Sequence, residues 1–239
     1  MGPSNYFCRP HMATILHLDT SGPTGVAMLA RDGRPVASRH SEGERDHAGT
    51  INRLVDKVLQ EGGTALTAID AVAVCNGPGS YTGLRIGLAT AKGYCFAMDR
   101  PLILHSRLFL MLEEAASLLK LKKNVIAVLP ARTGEYYAAG SGHALHFSPT
   151  HITSGSLEQM VVQTSESIHI IGQVEAELLA VISLKGITLS EHHMPDKYTW
   201  AQCANESFLS RKFADMAYSE PEYLKPAYVT KARGDSRNL

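Results

Sequence analysis

The chain has 239 residues, 44% of them apolar and 19% charged, the balance of an ordinary globular protein long enough to bury a sizeable core. Lys plus Arg and Asp plus Glu are equal at 23 each, so the basic excess of a protein that grips nucleic acid alone is missing. Cys8, Cys75, Cys95 and Cys203 have no paired spacing, which argues against a zinc site or disulfide frame, and no apolar run approaches the ~20 residues of a membrane span.

Residues 1–11 lack the apolar core of an export signal and read as a disordered arm or an artificial extension before Met12, so a reducing, cytoplasmic setting is expected. Thr14 to Asp19 reads as a strand ending on a carboxylate, and Thr20-Ser-Gly-Pro-Thr24 as a turn. Gly25 to Arg31 is a second strand, joined through the hairpin signal Asp32-Gly33 to a third at Pro35 to His40. His47 to Glu61 is an amphipathic helix whose apolar positions Ile51, Leu54, Val55, Val58 and Leu59 share one face, and Gly62-Gly63 stops it. A buried strand at Ala71 to Cys75 leads into Asn76-Gly-Pro-Gly-Ser-Tyr-Thr-Gly83. A helix to Met98 and a strand at Leu102 to Leu104 follow.

The second half repeats that βββαβαβ order. Ser106 is placed to cap a helix that uses Leu108, Leu112, Ala115, Ala116 and Leu119. Strands are expected at 125–129, 135–139 and 144–147, a helix at 157–162, and a strand at 168–171. A helix at 174–182, a strand at 187–190 and a long helix from Tyr198 to Ala217 complete it. The pattern predicts an α/β protein of two ribonuclease-H-like (actin-like) domains, at 12–105 and 106–218, with an extended tail at 219–239. The basic clusters Lys120, Lys122, Lys123 and Lys225, Lys231, Arg233, Arg237 read as solvated surface.

In such an arrangement the turn after the first strand and the glycine loop after the fourth face one cleft. Asp19, Thr20 and Ser21 would then meet Gly77, Gly79, Ser80 and Thr82. A glycine-rich turn from strand to helix can aim backbone N–H groups at a phosphate, or can simply let the helix pack closely; the local pattern leaves both open.

The motifs also resemble the TsaB (YeaZ) family, which serves in making threonylcarbamoyladenosine in tRNA. The likeness covers residues 13–138 and rests on Ile15-Leu-His-Leu-Asp-Thr-Ser21, Asp46-His-Ala48, the long signature Gly77 to Gly93, and Ala131-Arg-Thr-Gly-Glu-Tyr-Tyr137. It fades after about residue 140 except at Tyr223 to Tyr228. It implies a non-catalytic partner of the transferase TsaD, assembled with the ATPase TsaE, dimeric when TsaD is absent, and meeting tRNA only through the complex. No cofactor is implied, beyond a weak or vestigial nucleotide site.

The residues agree with that implication. TsaD-type enzymes carry two His four residues apart on one helical face, where they can share a metal. Here the corresponding stretch has His105 but Phe109, so no metal site is expected. His143 and His146, like His192-His193, lack carboxylate or Cys partners at ligand spacing. A small-molecule kinase of the same superfold is the enzyme alternative, but phosphoryl transfer needs carboxylates for Mg²⁺. Asp19 is one; Pro130 stands where the family more usually has an Asp. A ribonuclease-H-type nuclease would need still more carboxylates, and the fourth strand ends on Cys75 and Asn76. Gly83, Gly87 and Ala91 form a small-residue stripe beside the face of Ile51, Leu54, Val55 and Val58. Both must pack at least partly on their own sheet, and the resemblance implies that they also face the partner.

Overall fold

A computed structural model describes residues 13–41, 46–120, 124–185, 187–191 and 194–225. The arm at 1–11, Cys8, His192-His193, Lys122, Lys123 and the basic residues after 225 lie outside the described residues. Two five-stranded mixed sheets carry the fold. The first is built from β1 (Thr14–Asp19), β2 (Val26–Arg31), β3 (Arg34–His40), β4 (Ala71–Gly77) and β5 (Leu102–Ser106), in the order β3-β2-β1-β4-β5. The second is built from β6 (Asn124–Arg132), β7 (Glu135–Ser141), β8 (Phe147–Thr153), β9 (Ile168–Gly172) and β10 (Thr188–Glu191), in the order β10-β9-β6-β7-β8. In each, an antiparallel meander is followed by parallel, helix-linked strands. This is the actin-like α/β fold that the doubled element order predicts.

Strand alternation decides which helices cover which face. Leu16 and Leu18 of β1 point into a core filled by α1 (His47–Glu61) and α2 (Tyr81–Met98). The opposite face presents Ala13, Ile15, Met28, Ala30, Ala71 and Ala73, and α6 (Lys197–Leu209) covers it with Trp200, Ala201 and Ala204. The second sheet is covered on one face by α4 (Ser154–Gln163) and α5 (Ala176–Leu184), and on the other by α3 (Arg107–Leu119). Helix α6 therefore follows the second sheet in sequence but packs on the first.

Three local expectations shift. The third strand of the second half runs 147–153 rather than 144–147, because Asn124 Oδ1 accepts the Ala144 N–H (2.8 Å) and holds 142–146 as a wider turn. Helix α6 stops at Leu209 rather than Ala217. Arg211 takes a left-handed φ of 53°, and the chain turns to pair Ala214 N–H with Leu102 O (2.8 Å) on the edge of β5. Ser106 occupies the N-cap position of α3, but its hydroxyl makes no capping bond.

Candidate functional site: the cleft between the sheets

The turn after β1 and the glycine loop after β4 meet as the topology requires. Ser80 N–H donates to Ser21 O (2.8 Å) and Thr20 Oγ1 donates to Gly83 O (2.7 Å). Ser80 also caps α2 by accepting the Gly83 N–H (3.3 Å). Asp19 Oδ1 accepts the Ser21 N–H (2.7 Å), closing an Asx turn within the β1 loop itself. The contact is tight enough to explain the glycines. A Cβ on Gly83 would lie 2.0 Å from Thr20 O, and one on Gly87 would lie 2.3 Å from Thr20 Oγ1. Close packing of α2 on the β1 turn accounts for glycine at both positions.

Beside this junction opens a cleft of about 780 Å³, walled on one side by Ser21, Gly79, Ser80 and Thr82 and on the other by Leu129, Pro130, Ala131, Tyr137 and Gln173. Its polar groups are hydroxyls, His47, Arg107 and Gln173; among the described residues no carboxylate lines it. Asp19 and Thr20 are buried and do not line it, and Gly77 lies beneath the tail. Pro130 stands in the wall of the cleft, which has room for a small molecule.

Sequence reading missed two parts of this cleft. Arg107 opens α3 directly after β5, and its guanidinium packs over Gly22. His47 Nε2–H donates to Gly22 O (3.1 Å), fixing the turn. Each is the first residue of a helix facing the cleft, and His47 also stands in the family-like segment Asp46-His-Ala48. The tail was missed too, apart from its extended form. Glu222 N–H donates to Asn76 O (2.8 Å), Tyr223 stacks on Tyr81 at 4.8 Å and accepts from Arg85 Nε (2.9 Å), and Lys225 pairs with Glu135 of β7. Residues 219–225 thus clasp both sheets.

His105 is not placed to hold a metal in the cleft. It is buried on the α6 side, where Trp200 Nε1–H donates to its Nδ1 (3.3 Å) and its Nε2–H donates to Ser207 Oγ (3.3 Å). Burial lowers its pKa to about 4, and burial with the neighbouring His105 lowers that of His17 to about 3, so both are neutral at pH 7. Phe109, four residues on, is exposed. Among the described residues no group of three His, Cys, Asp or Glu is arranged to hold a metal ion. Burial pushes the Cys95 and Cys203 thiols up to about 11 and about 12 and also raises that of Cys75, which removes them as nucleophiles near neutral pH.

Of the residues expected to pack on their own sheet and also to face a partner, the structure shows the packing. Ile51, Leu54, Val55, Val58 and Ala91 are core side chains, and Gly83 and Gly87 abut Thr20. The apolar stripes of α1 and α2 are consumed by the first sheet, which is why they are apolar. The outer side of α2 carries different residues: Arg85, Ala89, Gly93, Ala97 and Phe96, the last 81% exposed. Tyr94 Oη–H donates to Asn52 Oδ1 (3.0 Å), holding α1 alongside.

Two like-built sheets that meet at a cleft define an actin-like α/β protein. A family model described as TsaD, tRNA N6-adenosine threonylcarbamoyltransferase, matches residues 41–233, and the chain belongs to that family, on its TsaB (YeaZ) branch. The tRNA threonylcarbamoyladenosine biosynthesis protein TsaB of Haemophilus influenzae is 38% identical over 125 residues, 52% of this chain and 52% of that protein. Its namesake from Escherichia coli is 37% identical over 130 residues, 52% of this chain and 53% of the relative. The match thus spans about half the length of these curated relatives. Among solved structures, YeaZ from Pseudomonas aeruginosa superposes with a TM-score of 0.68 over 89% of this chain and all of that one, at 23% identity. No described helix is long and apolar enough to cross a membrane.

Proposed function

We propose that this chain takes part in forming threonylcarbamoyladenosine in tRNA as a partner of TsaD, without transferase chemistry of its own. The observation that carries the reading is the state of His105. Both its ring nitrogens are engaged by Trp200 and Ser207 on the far side of the sheet, with Phe109 in place of a second ligand. The carboxylate-free lining of the cleft supports the same conclusion, and the glycine loop is an inherited phosphate loop now used to seat α2.

The docking surface in this reading is the outer side of α2 with the adjoining edge of α1. Ala89 and Gly93 let another helix approach closely, and Phe96 supplies an apolar anchor that the fold leaves in solvent. TsaD, with TsaE joining, would occupy it in the complex, and a second copy of this chain would occupy it when TsaD is absent. Contact with tRNA would come only through the complex.

The test is reconstitution. TsaD and TsaE with this protein should modify tRNA, and omission of this protein should abolish the modification. Phe96→Glu should weaken capture of TsaD at least about tenfold while leaving thermal unfolding unchanged. Modification by the pure protein alone, or metal-dependent phosphoryl transfer by it, would overturn the reading.

A further inference from the structure

A second cavity lies behind the cleft, on the α6 face of the first sheet. Alternation along β1 puts Leu16 and Leu18 toward α1 and α2, and so turns Ile15, His17 and Asp19 toward α6. There Asp19 lines a cavity of about 410 Å³ with Val26, Met28, Met194, Trp200 and Glu191. The volume is within the roughly 300–1,000 Å³ typical of small-molecule sites.

Its chemistry is one-sided. Asp19 is 3% exposed, its Oδ1 accepts the Ser21 N–H, and its side chain lines the cavity. Glu191 adds a second carboxylate at the rim. Asp196 also borders the space, but its carboxylate caps α6 by accepting the Thr199 N–H (2.8 Å). The one cation of the wall, Lys197, reaches over the Tyr198 ring at 5.3 Å. The rest is apolar: the Trp200 indole N–H is spent on His105, which leaves ring surface toward the cavity, and Met28 and Met194 are adaptable thioethers. Two available carboxylates in apolar walls are too few oxygens for Ca²⁺ or Mg²⁺. They suit an organic cation, whose charge a carboxylate and an indole face both favour.

We propose that this cavity binds a small organic ammonium ion, an amine on an apolar body, with its charge against Asp19 and Glu191 and its body against Trp200, Met28 and Met194. The site is separate from the cleft and from the α2 surface, and stands or falls independently of the function proposed above.

Trp200 is the only tryptophan of the chain, so tryptophan fluorescence comes from the wall of this cavity. Cyclohexylmethylamine, cyclohexylmethanol and cyclohexanecarboxylate would be titrated at constant ionic strength into the full-length protein. The amine should give a saturable change, the alcohol should bind at least about tenfold more weakly, and the carboxylate should give none. Asp19→Asn keeps the bond to Ser21 yet should weaken the amine about tenfold and leave the alcohol unaffected. Glu191→Gln, on an exposed side chain, should weaken the amine about threefold and carries the test should Asp19→Asn disturb folding. Equal binding of amine and alcohol overturns the proposal, as does an amine affinity untouched by both substitutions or the lack of any saturable response.

Discussion

The two sheets repeat one topology, yet their first turns have opposite fates. In the first sheet the β1 turn is pressed onto α2 so closely that only glycine fits at positions 83 and 87. In the second, the β6–β7 turn stays open. Gly134 takes φ +72° with nothing near its Cβ direction, and the turn is held by a side chain, Glu175 Oε2 accepting the Gly134 N–H (3.1 Å). The back face of the first sheet is also closed by a helix from the far end of the sequence, and that closure buries two histidines. A duplicated fold therefore does not duplicate its contacts: the first half presses its turn onto a helix, and the second holds its turn through a side chain.

The largest effect that would sharpen this contrast is a loss of stability in acid. His17 and His105 are neutral when folded, with pKa values lowered by burial to about 3 and about 4, and would titrate near 6.5 once released. Below that value the unfolded chain binds more protons than the folded one. The contribution is thus whole above pH 6.5 and is lost as pH falls toward 4, at about 1.4 kcal/mol per pH unit for each histidine. Urea unfolding followed by Trp200 fluorescence should lose a few kcal/mol between pH 7 and pH 5. His17→Leu should flatten that slope by about half; an unchanged slope would mean that burial of the back face is not its source.

Next in size is overpacking at the β1–α2 contact. Gly83→Ala or Gly87→Ala drives a methyl into Thr20 and should cost about 2–3 kcal/mol. The matched change in the second half is Gly155→Ala on α4, where nothing lies within 4 Å, and it should be neutral or slightly stabilising. Chemical denaturation of the three variants measures the difference directly. Equal effects in both halves would end the comparison.

Much of this was legible in the residues, and the failures have a common cause. Asp32-Gly33, the apolar face of α1 and the stop at Gly62-Gly63 are local signals, and each element formed where it was expected. The doubled order gave the fold, and the motif from Gly77 to Gly93 gave the family. Periodicity reveals that a helix face is buried but not what buries it, so it leaves Ile51, Val55, Gly87 and Ala91 divided between sheet and partner, and the structure shows how fully their own sheet takes them. The return of α6 to the first sheet and the clasp of Tyr223 and Lys225 join residues more than 80 positions apart, beyond any local pattern. The engagement of His105 by Trp200 was hidden for the same reason.

The smallest predicted effect separates packing from docking on a single helix. Gly93 lies within α2, ten residues from Gly83, but on the exposed side, and a Cβ there would meet nothing within 4 Å. With space available, Gly93→Ala should only restrict the unfolded backbone and favour the helix, raising stability by about 0.5–1 kcal/mol. Its sign is opposite to that of Gly83→Ala, which differs only in facing Thr20. If α2 meets TsaD through its outer side, the same methyl stands where the two helices approach, so capture of TsaD should weaken severalfold while the melting temperature rises. Stability and binding then move in opposite directions from one substitution, which a general loosening of the fold cannot produce. A gain in stability with unchanged capture would place the partner elsewhere, and would leave the exposed side of α2 without a role.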